Sequence, residues 1–594
     1  MDKLSLYGQR LAALRQELEK EQLDAWIIPS SDEFHSEYLP PQSRHMTWLC
    51  GFTGENGVVV VTRDKAVTFV DGRFTVQIRQ QAPESLFDYE HIHEVSPEKW
   101  LANHLPVGSQ VGYDGFLHSA RWVRETRDCL HHSQLTLLEV GDNLVNRIWK
   151  DRPKAGNDSM ILLETAGQTS RGKRLEIAQI LKEKQCEALL ITHPECTNWL
   201  LNIRGRDIPC TPLVLSYGLL KNDGSMILLV DNNKLPDSFA AHVGEGVDVS
   251  EFSRLSDVLE SLSGKTLLLN PDETPDRLYQ QVKAAGIIIR DGKDPCLLAK
   301  ARKNEEEREG FRRAHIRDGI AMCRFLAWLD REVTAGHTHD ESTLADKVES
   351  LRSEQDLYLE PSFETISALG PNAAICHYNY RYSQPRSLEG ESVYLLDSGG
   401  QYLDGTTDIT RTVAVGRVSD DFKTLSTLVL KGHIALASTR FPACGTTGLQ
   451  LDMQARLPLW MHGYDYDHGT GHGVGHCLGV HEFPGRFSNR FNSDPLEAGM
   501  VMTIEPGYYR NSEWGVRHEN MYEVVPFSVD GEIDTLGFRH MTFAPFDNRL
   551  LDRYLLTEHE LDWLNGYHHQ VYEKLAFYLD EPDRQWLKDA CQPL

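Results

Sequence analysis

Two α/β domains of similar build followed by a larger α+β domain are the fold class that the sequence predicts. A helix–strand–strand pattern occurs twice within residues 1–305, and a polar break bearing Pro or Gly follows each copy. A long charged helix then opens a region where apolar strands alternate with turn signals. With 594 residues the chain is too long for one hydrophobic core, so two to four domains are expected.

The first copy runs RLAALRQELEKEQLDAWIIPSSDE and then TWLCGFTGENGVVVVTRDKAVTFVDGR. The second runs RLEIAQILKEKQCEALLITHPECTNWLL and then TPLVLSYGLLKNDGSMILLVDNNK. Each opens on a helix of i, i+3/i+4 apolar spacing rich in Glu, Lys and Arg. Each continues into a short apolar run, 25–28 and 188–191, that reads as a buried parallel strand. Turn signals at Asn56-Gly57 and Asn222-Asp223-Gly224 set off further strands. A diverged internal duplication explains the likeness of the copies. The breaks lie at 150–158 (KDRPKAGND) and 291–295 (DGKDP), giving domains 1–155, 156–305 and 306–594. The third begins near AKARKNEEEREGFRRAHIRDGIAMCRFLAWLDREV, read as one helix that is polar at first and amphipathic later. From about residue 550 the chain reads as a helical extension rich in Tyr, Trp, Leu and His.

Composition narrows the function classes. Hydrophobic residues make up 40% and charged residues 25%, as in globular proteins rather than disordered ones. A net charge of −26 speaks against nucleic acid or an anionic membrane as partner, because either would repel the surface. The opening MDKLSLYGQRLAALRQELEK reads as an amphipathic helix without the apolar core of a signal peptide. No stretch approaches the roughly 18 to 20 apolar residues of a membrane span. Eleven cysteines scatter singly from Cys50 to Cys591 without a CxxC, which fits reduced thiols and a cytoplasmic setting.

The chemistry gathers in the third domain. In ESVYLLDSGGQYLDGTTDITRTVAVG, the apolar strand 393–396 ends at Asp397 and a second strand, 406–415, contains Asp408. Strand alternation puts Asp408, Thr410 and Thr412 on one face. Two carboxylates beside apolar strands are costly to bury unless a cation compensates them; exposed turn aspartates are the alternative. DHGTGHGVGHCLGVHE carries His468, His472, His476 and His481, with glycines that suit a close-approach loop better than a helix. Glu505 ends the apolar run 500–504, and Glu519 precedes the strand pattern 521–525 with Arg517 as a candidate partner. Four carboxylates and one imidazole make the ligand set of a two-metal site. Its oxygen-rich character suits Mn²⁺, with Co²⁺ or Zn²⁺ possible.

The order of Asp397, Asp408 eleven residues on, His472 in HGTGHG, Glu505 in EPG and Glu519 in R-x-E-N resembles the pita-bread metallopeptidases. GPNAAICHY, LLDSGGQYLDGTTDITRT, DPLEAGMVMTIEPGYY, GFTGENG, VDGR and WLNGYH narrow the resemblance to the long, three-domain Xaa-Pro aminopeptidases and extend it over essentially the whole chain. It implies two creatinase-like α/β domains followed by a pita-bread catalytic domain. Asp397 would be a terminal ligand of one metal, Asp408 and Glu519 would bridge both, and His472 and Glu505 would complete the other. Glu505 would shuttle a proton from the attacking metal-bridging hydroxide to the leaving proline nitrogen. His377, His468 and His481 would position the substrate and stabilise the oxyanion. Arg73 would contact the peptide, with Arg517 and Tyr509 supporting the ligands. The substrates would be peptides with proline second, and the assembly a homodimer. His476 stands where relatives carry other residues and is placed outside the pocket.

Other readings stay open at this point. Prolidase would cleave only Xaa-Pro dipeptides, whereas the duplicated first half favours the long aminopeptidase. A methionine aminopeptidase has no evident use for that half, and creatinase-like chemistry lacks the full metal set. An inert pita-bread module binding peptides or histones need not retain the ligands.

Overall fold

The computed structural model describes residues 3–594. Met1 and Asp2, which begin the expected N-terminal helix, lie outside the described residues. That helix spans Lys3–Lys20 and buries Leu11, Leu14 and Leu18. The chain forms two units, one of residues 1–163 and 168–296, the other of residues 164–167 and 297–594.

The first unit holds both copies, each as a six-stranded mixed sheet. The first sheet comprises β1 (Ala25–Pro29), β2 (Val58–Thr62), β3 (Ala66–Val70), β4 (Asp88–His91), β5 (Gln110–Tyr113) and β6 (Thr136–Glu139), in the order β4-β3-β2-β1-β5-β6. A small separate pair, β7 (Ile161–Leu162) and β9 (Ile203–Arg204), flanks the second copy. The second sheet comprises β8 (Ala188–Ile191), β10 (Tyr217–Lys221), β11 (Met226–Leu229), β12 (Val247–Ser250), β13 (Thr266–Leu269) and β14 (Ile288–Asp291), in the order β12-β11-β10-β8-β13-β14. Parallel and antiparallel pairings match position by position between the two, as a duplication requires.

Alternation along the strands sends Ala25, Ile27, Val60 and Val67 into one core and Trp26, Ile28, Val59 and Val61 into another, so the first sheet is covered on both faces. The runs 25–28 and 188–191 are therefore buried, but each is parallel to one neighbour and antiparallel to the other. Asn222-Asp223-Gly224 does close a tight hairpin, with Lys221 N–H donating to Ser225 O at 2.8 Å and Gly224 at φ +87°. Asn56-Gly57 instead lies in the long connection leading into β2.

The expected single charged helix is two, Pro295–Ala301 and Glu305–Ala335. The break is specified locally. Asn304 accepts from Glu307 N–H while the Glu307 carboxylate accepts from Asn304 N–H, a capping box that starts a new helix. Lys300 and Lys303, on either side of the break's start, are buried and both pair with Glu482.

Strands then build three sheets. β15 (Tyr358–Pro361), β18 (Gly400–Tyr402) and β19 (Gly405–Thr406) form one, and β16 (Ile366–Leu369), β17 (Ser392–Ser398) and β20 (Ile409–Val415) a second. The third joins β21 (Phe441–Pro442), β28 (Thr535–His540), β27 (Asn520–Phe527), β24 (Val501–Ile504), β22 (Gly471–Gly473) and β23 (Glu482–Phe487), in that order. β25 (Gly507–Arg510) and β26 (Trp514–Arg517) make a hairpin. The helices Asp420–Ala437 and Gly448–Trp460 touch so closely that a Cβ on Gly432 would stand 2.1 Å from Ala455 O. The extension contains the helices Glu558–Leu575 and Glu581–Ala590. None of the eleven cysteines is in a disulfide among the described residues, and no described helix is long and apolar enough to cross a membrane.

Candidate metal centre

Five donors meet at the ends of strands from two sheets. Asp397 lies inside β17, opposite Thr410 of β20, rather than just beyond the strand. Asp408 precedes β20 instead of sitting within it, because the expected strand 406–415 is interrupted between β19 and β20. The residue before it, Thr407, anchors that interruption by donating to the buried Asp318 at 2.9 Å. Glu505 directly follows β24 and Glu519 directly precedes β27; since Ile504 pairs with Asn520, both acids emerge at the same end. His472 sits mid-β22, so the Gly-rich segment is part strand. Its glycines allow this, as a Cβ on Gly471 would stand 2.1 Å from Thr503 O.

Ligand atoms of Asp408, His472 and Glu519 lie within 4.8 Å of one another. His472 Nε2 is 3.5 Å from both Asp408 Oδ2 and Glu505 Oε1. Its Nδ1–H donates to Gly473 O at 2.9 Å, which holds the ring in the tautomer whose Nε2 lone pair faces the carboxylates. Asp397 Oδ2 accepts from Arg517 Nη2 at 2.6 Å, while its buried Oδ1 has no hydrogen-bond partner among the described residues. Glu519 Oε2 accepts from Thr410 Oγ1 at 2.7 Å. The side chains of His472 and Glu505 keep 16% and 19% exposure and so form the solvent-facing side of the set.

Electrostatics call for compensation by positive charge. Burial, reinforced by Asp397, holds the Asp408 carboxyl well above the usual range. Burial, then Asp408, Asp397 and Glu505, does the same to Glu519. Burial pushes Glu505 up to about 7, against the opposing pull of His472 and Arg517. Crowded carboxylates, an orphaned buried oxygen and an oriented imidazole are the donor set that fits divalent cations.

The three raised carboxyls hold protons that a cation must displace. Raised folded-state values mean that, from the ordinary carboxylate range up through about pH 7 where Glu505 titrates, the metal-free chain binds more protons than its unfolded form, so its stability from these groups declines as pH rises across that window. Bound cations take over the protons' role. The melting-temperature gap between metal-loaded and metal-free protein is therefore expected to widen from about pH 6 to about pH 8. Scanning calorimetry at matched ionic strength checks this, and a gap independent of pH contradicts it.

Around the donors, Arg517 departs from its expected pairing. It bonds Asp397, not Glu519, and reaches Glu519 only through Thr410, to which its Nε donates at 3.1 Å. Its Nη1 donates to Tyr509 OH at 2.6 Å, and Tyr509 OH meets His468 Nε2 at 2.9 Å. His468 Nδ1 bonds Gly469 O, so both ring nitrogens are engaged within the protein; burial and then Arg517 keep it neutral. His481 stands edge-on to His472 at 4.3 Å. His377 lies close enough to His468 to add to the field lowering its pKa. His476 packs on the Phe311 ring at 5.6 Å, away from the Asp408, His472 and Glu519 group. Arg73 lies in the first unit, with its guanidinium bonded twice to the Asp71 carboxylate.

Residue reading missed one set of supports. Arg456 is fully buried and donates to Asp452 at 2.6 Å and to the backbone oxygens of Tyr466 and His468 at 2.7 Å each. It braces the segment leading to His472 from the helix behind it. Its i, i+4 spacing from Asp452 was the only local signal.

Comparison with known proteins places this geometry. Residues 309–526 match the model of metallopeptidase family M24, and residues 534–594 that of the C-terminal region of peptidase M24. Residues 10–140 and 151–307 each match a creatinase/prolidase N-terminal domain. A probable Xaa-Pro aminopeptidase P of Laccaria bicolor is 37% identical over 99% of this chain and 93% of its own length. A Xaa-Pro aminopeptidase of Caenorhabditis elegans is 37% identical over 96% of this chain and 95% of its own length. The crystal structure of X-prolyl aminopeptidase from Caenorhabditis elegans, described as a cytosolic enzyme with a di-nuclear active site, superposes with a TM-score of 0.94 at 34% identity. It covers 99% of this chain and 100% of that one.

Proposed function

The chain belongs to the Xaa-Pro aminopeptidases of metallopeptidase family M24, and on that footing we propose that it hydrolyses the bond between an N-terminal residue and a penultimate proline. Its architecture is two creatinase-like domains and a pita-bread catalytic domain, whose limits we set at 155 and 305 beside the matched segments 10–140 and 151–307. The observation that carries the reading is the convergence of Asp408, His472 and Glu519 within 4.8 Å, with Glu505 beside His472.

We assign two divalent cations to Asp397, Asp408, His472, Glu505 and Glu519. When bound, the cations activate water and polarise the scissile carbonyl. The protein's own groups do the rest. Glu505, on the solvent-facing side of the set, takes a proton from the attacking water and returns it to the proline nitrogen. His377 and His481 would position the peptide and its developing oxyanion, and His468 would form part of the same wall. Arg517 holds Asp397 and Tyr509 in place. The Arg73 contact is carried by the resemblance alone. Four carboxylates against one imidazole favour Mn²⁺ over Co²⁺ or Zn²⁺. A homodimer and a cytoplasmic setting complete the reading.

Hydrolysis of Arg-Pro-Pro set beside Arg-Pro tests the substrate class. Cleavage of the tripeptide after arginine is expected, at a kcat/KM well above that for the dipeptide. Turnover of the dipeptide alone would assign prolidase activity instead.

A further inference from the structure

The helix Glu341–Ser353 opens on a carboxylate with 0% exposure. A buried carboxylate is costly unless its lone pairs are filled, and this one is surrounded by donors. Oε1 accepts from Leu369 N–H at 2.6 Å, and Oε2 from Arg386 N–H at 2.9 Å. Tyr378 OH donates to Oε2 at 2.7 Å, and Asn372 Nδ2 lies 3.0 Å from both oxygens. The backbone joins in, as Glu341 N–H donates to Arg386 O at 3.0 Å. Burial lifts the Glu341 pKa, and the converging donors oppose that lift.

These partners share one property. Leu369 and Arg386 bracket a loop, Asn372 and Tyr378 lie inside it, and His377 is the residue next to Tyr378. The loop has no strand of its own, only the short 3₁₀ turns Gly370–Ala374 and Tyr380–Tyr382. Its shape therefore depends on a common acceptor. A glutamine could not replace it, because the amide NH₂ would face donors at one of the two positions. We infer that Glu341 is a positioning residue of the reaction, fixing the orientation of His377 by gathering both ends and the middle of its loop onto one carboxylate. The inference rests on the proposed contact of His377 with the peptide.

A double-mutant cycle on the metal-loaded full chain tests it with Arg-Pro-Pro as substrate. Glu341→Gln is expected to lower kcat/KM by about 10²-fold, the cost of a small misplacement, with the bound cation count unchanged. In the His377→Ala background the same change is expected to have almost no further effect. Glu341→Asp should recover part of the loss, because it keeps the acceptor character. If Glu341→Gln fails to fold, Tyr378→Phe removes a single donor. Its smaller loss is likewise expected to vanish in the His377→Ala background. Losses that multiply in either cycle would overturn the inference and reduce Glu341 to scaffold. Full activity of His377→Ala alone would overturn the peptide-contact reading, and this inference with it, and is visible in the single variant.

Discussion

Replacing Glu519 by glutamine is expected to stop peptide hydrolysis while leaving the metal-free chain at least as stable as the unaltered one. Glu519 is 1% exposed, accepts from Thr410 and lies among three other carboxylates whose field adds to its burial. Glutamine keeps the size and the acceptor for Thr410 but removes the charge. Without cations it makes permanent the uncharged state that burial already favours, so the metal-free melting temperature holds or rises. With cations it removes the charge proposed to be shared between them. Residues standing behind a metal ligand cost about 10- to 100-fold, and loss of a carboxylate proposed to bridge two cations should exceed that. Opposite signs for activity and stability mark a functional site, where charge is retained against the interests of the fold. A variant that keeps two cations and normal turnover contradicts the assignment.

Glu505→Gln is expected to lower kcat by about 10²- to 10⁴-fold, the usual worth of a positioned acid–base group. Its carboxylate sits 3.5 Å from His472 Nε2 on the solvent-facing side of the set, where it can meet an attacking water. The loss should fall on kcat more than on KM, because proton transfer belongs to the transition state and not to peptide binding. The acidic limb of the kcat–pH profile should disappear with it. Steady-state rates across that range decide the matter; an unchanged profile assigns the proton to another group.

The two predictions rest on residues that were legible in the sequence for a definite reason. Asp397 and Glu505 each stand at the end of a short apolar run that becomes a buried strand, 393–396 and 500–504, and Glu519 precedes another. An acid in such a place needs compensation, and that need is visible locally. The duplication was legible likewise, because helix and strand periodicities repeat along each copy. Where two distant segments meet, local pattern carries nothing. Arg517 stands two residues from Glu519, yet it bonds Asp397, since the β25–β26 hairpin turns it toward β17. Glu341 opens its helix, yet its side-chain partners all lie beyond that helix, where no local pattern reaches. Asp408 slipped out of its expected strand because Thr407 is drawn to Asp318, a partner far away in sequence. The split of the charged helix was readable in principle, through Asn304 and Glu307 as a capping box, although its burial against Glu482 was not.

The central proposal is that Asp397, Asp408, His472, Glu505 and Glu519 together hold two divalent cations required for turnover. Equilibrium dialysis against Mn²⁺, with Arg-Pro-Pro hydrolysis followed on the same samples, tests that most directly. Two ions per chain at full activity, and no hydrolysis once a chelator has removed them, are the expected results. Full activity with one ion bound per chain, or with none, would contradict it.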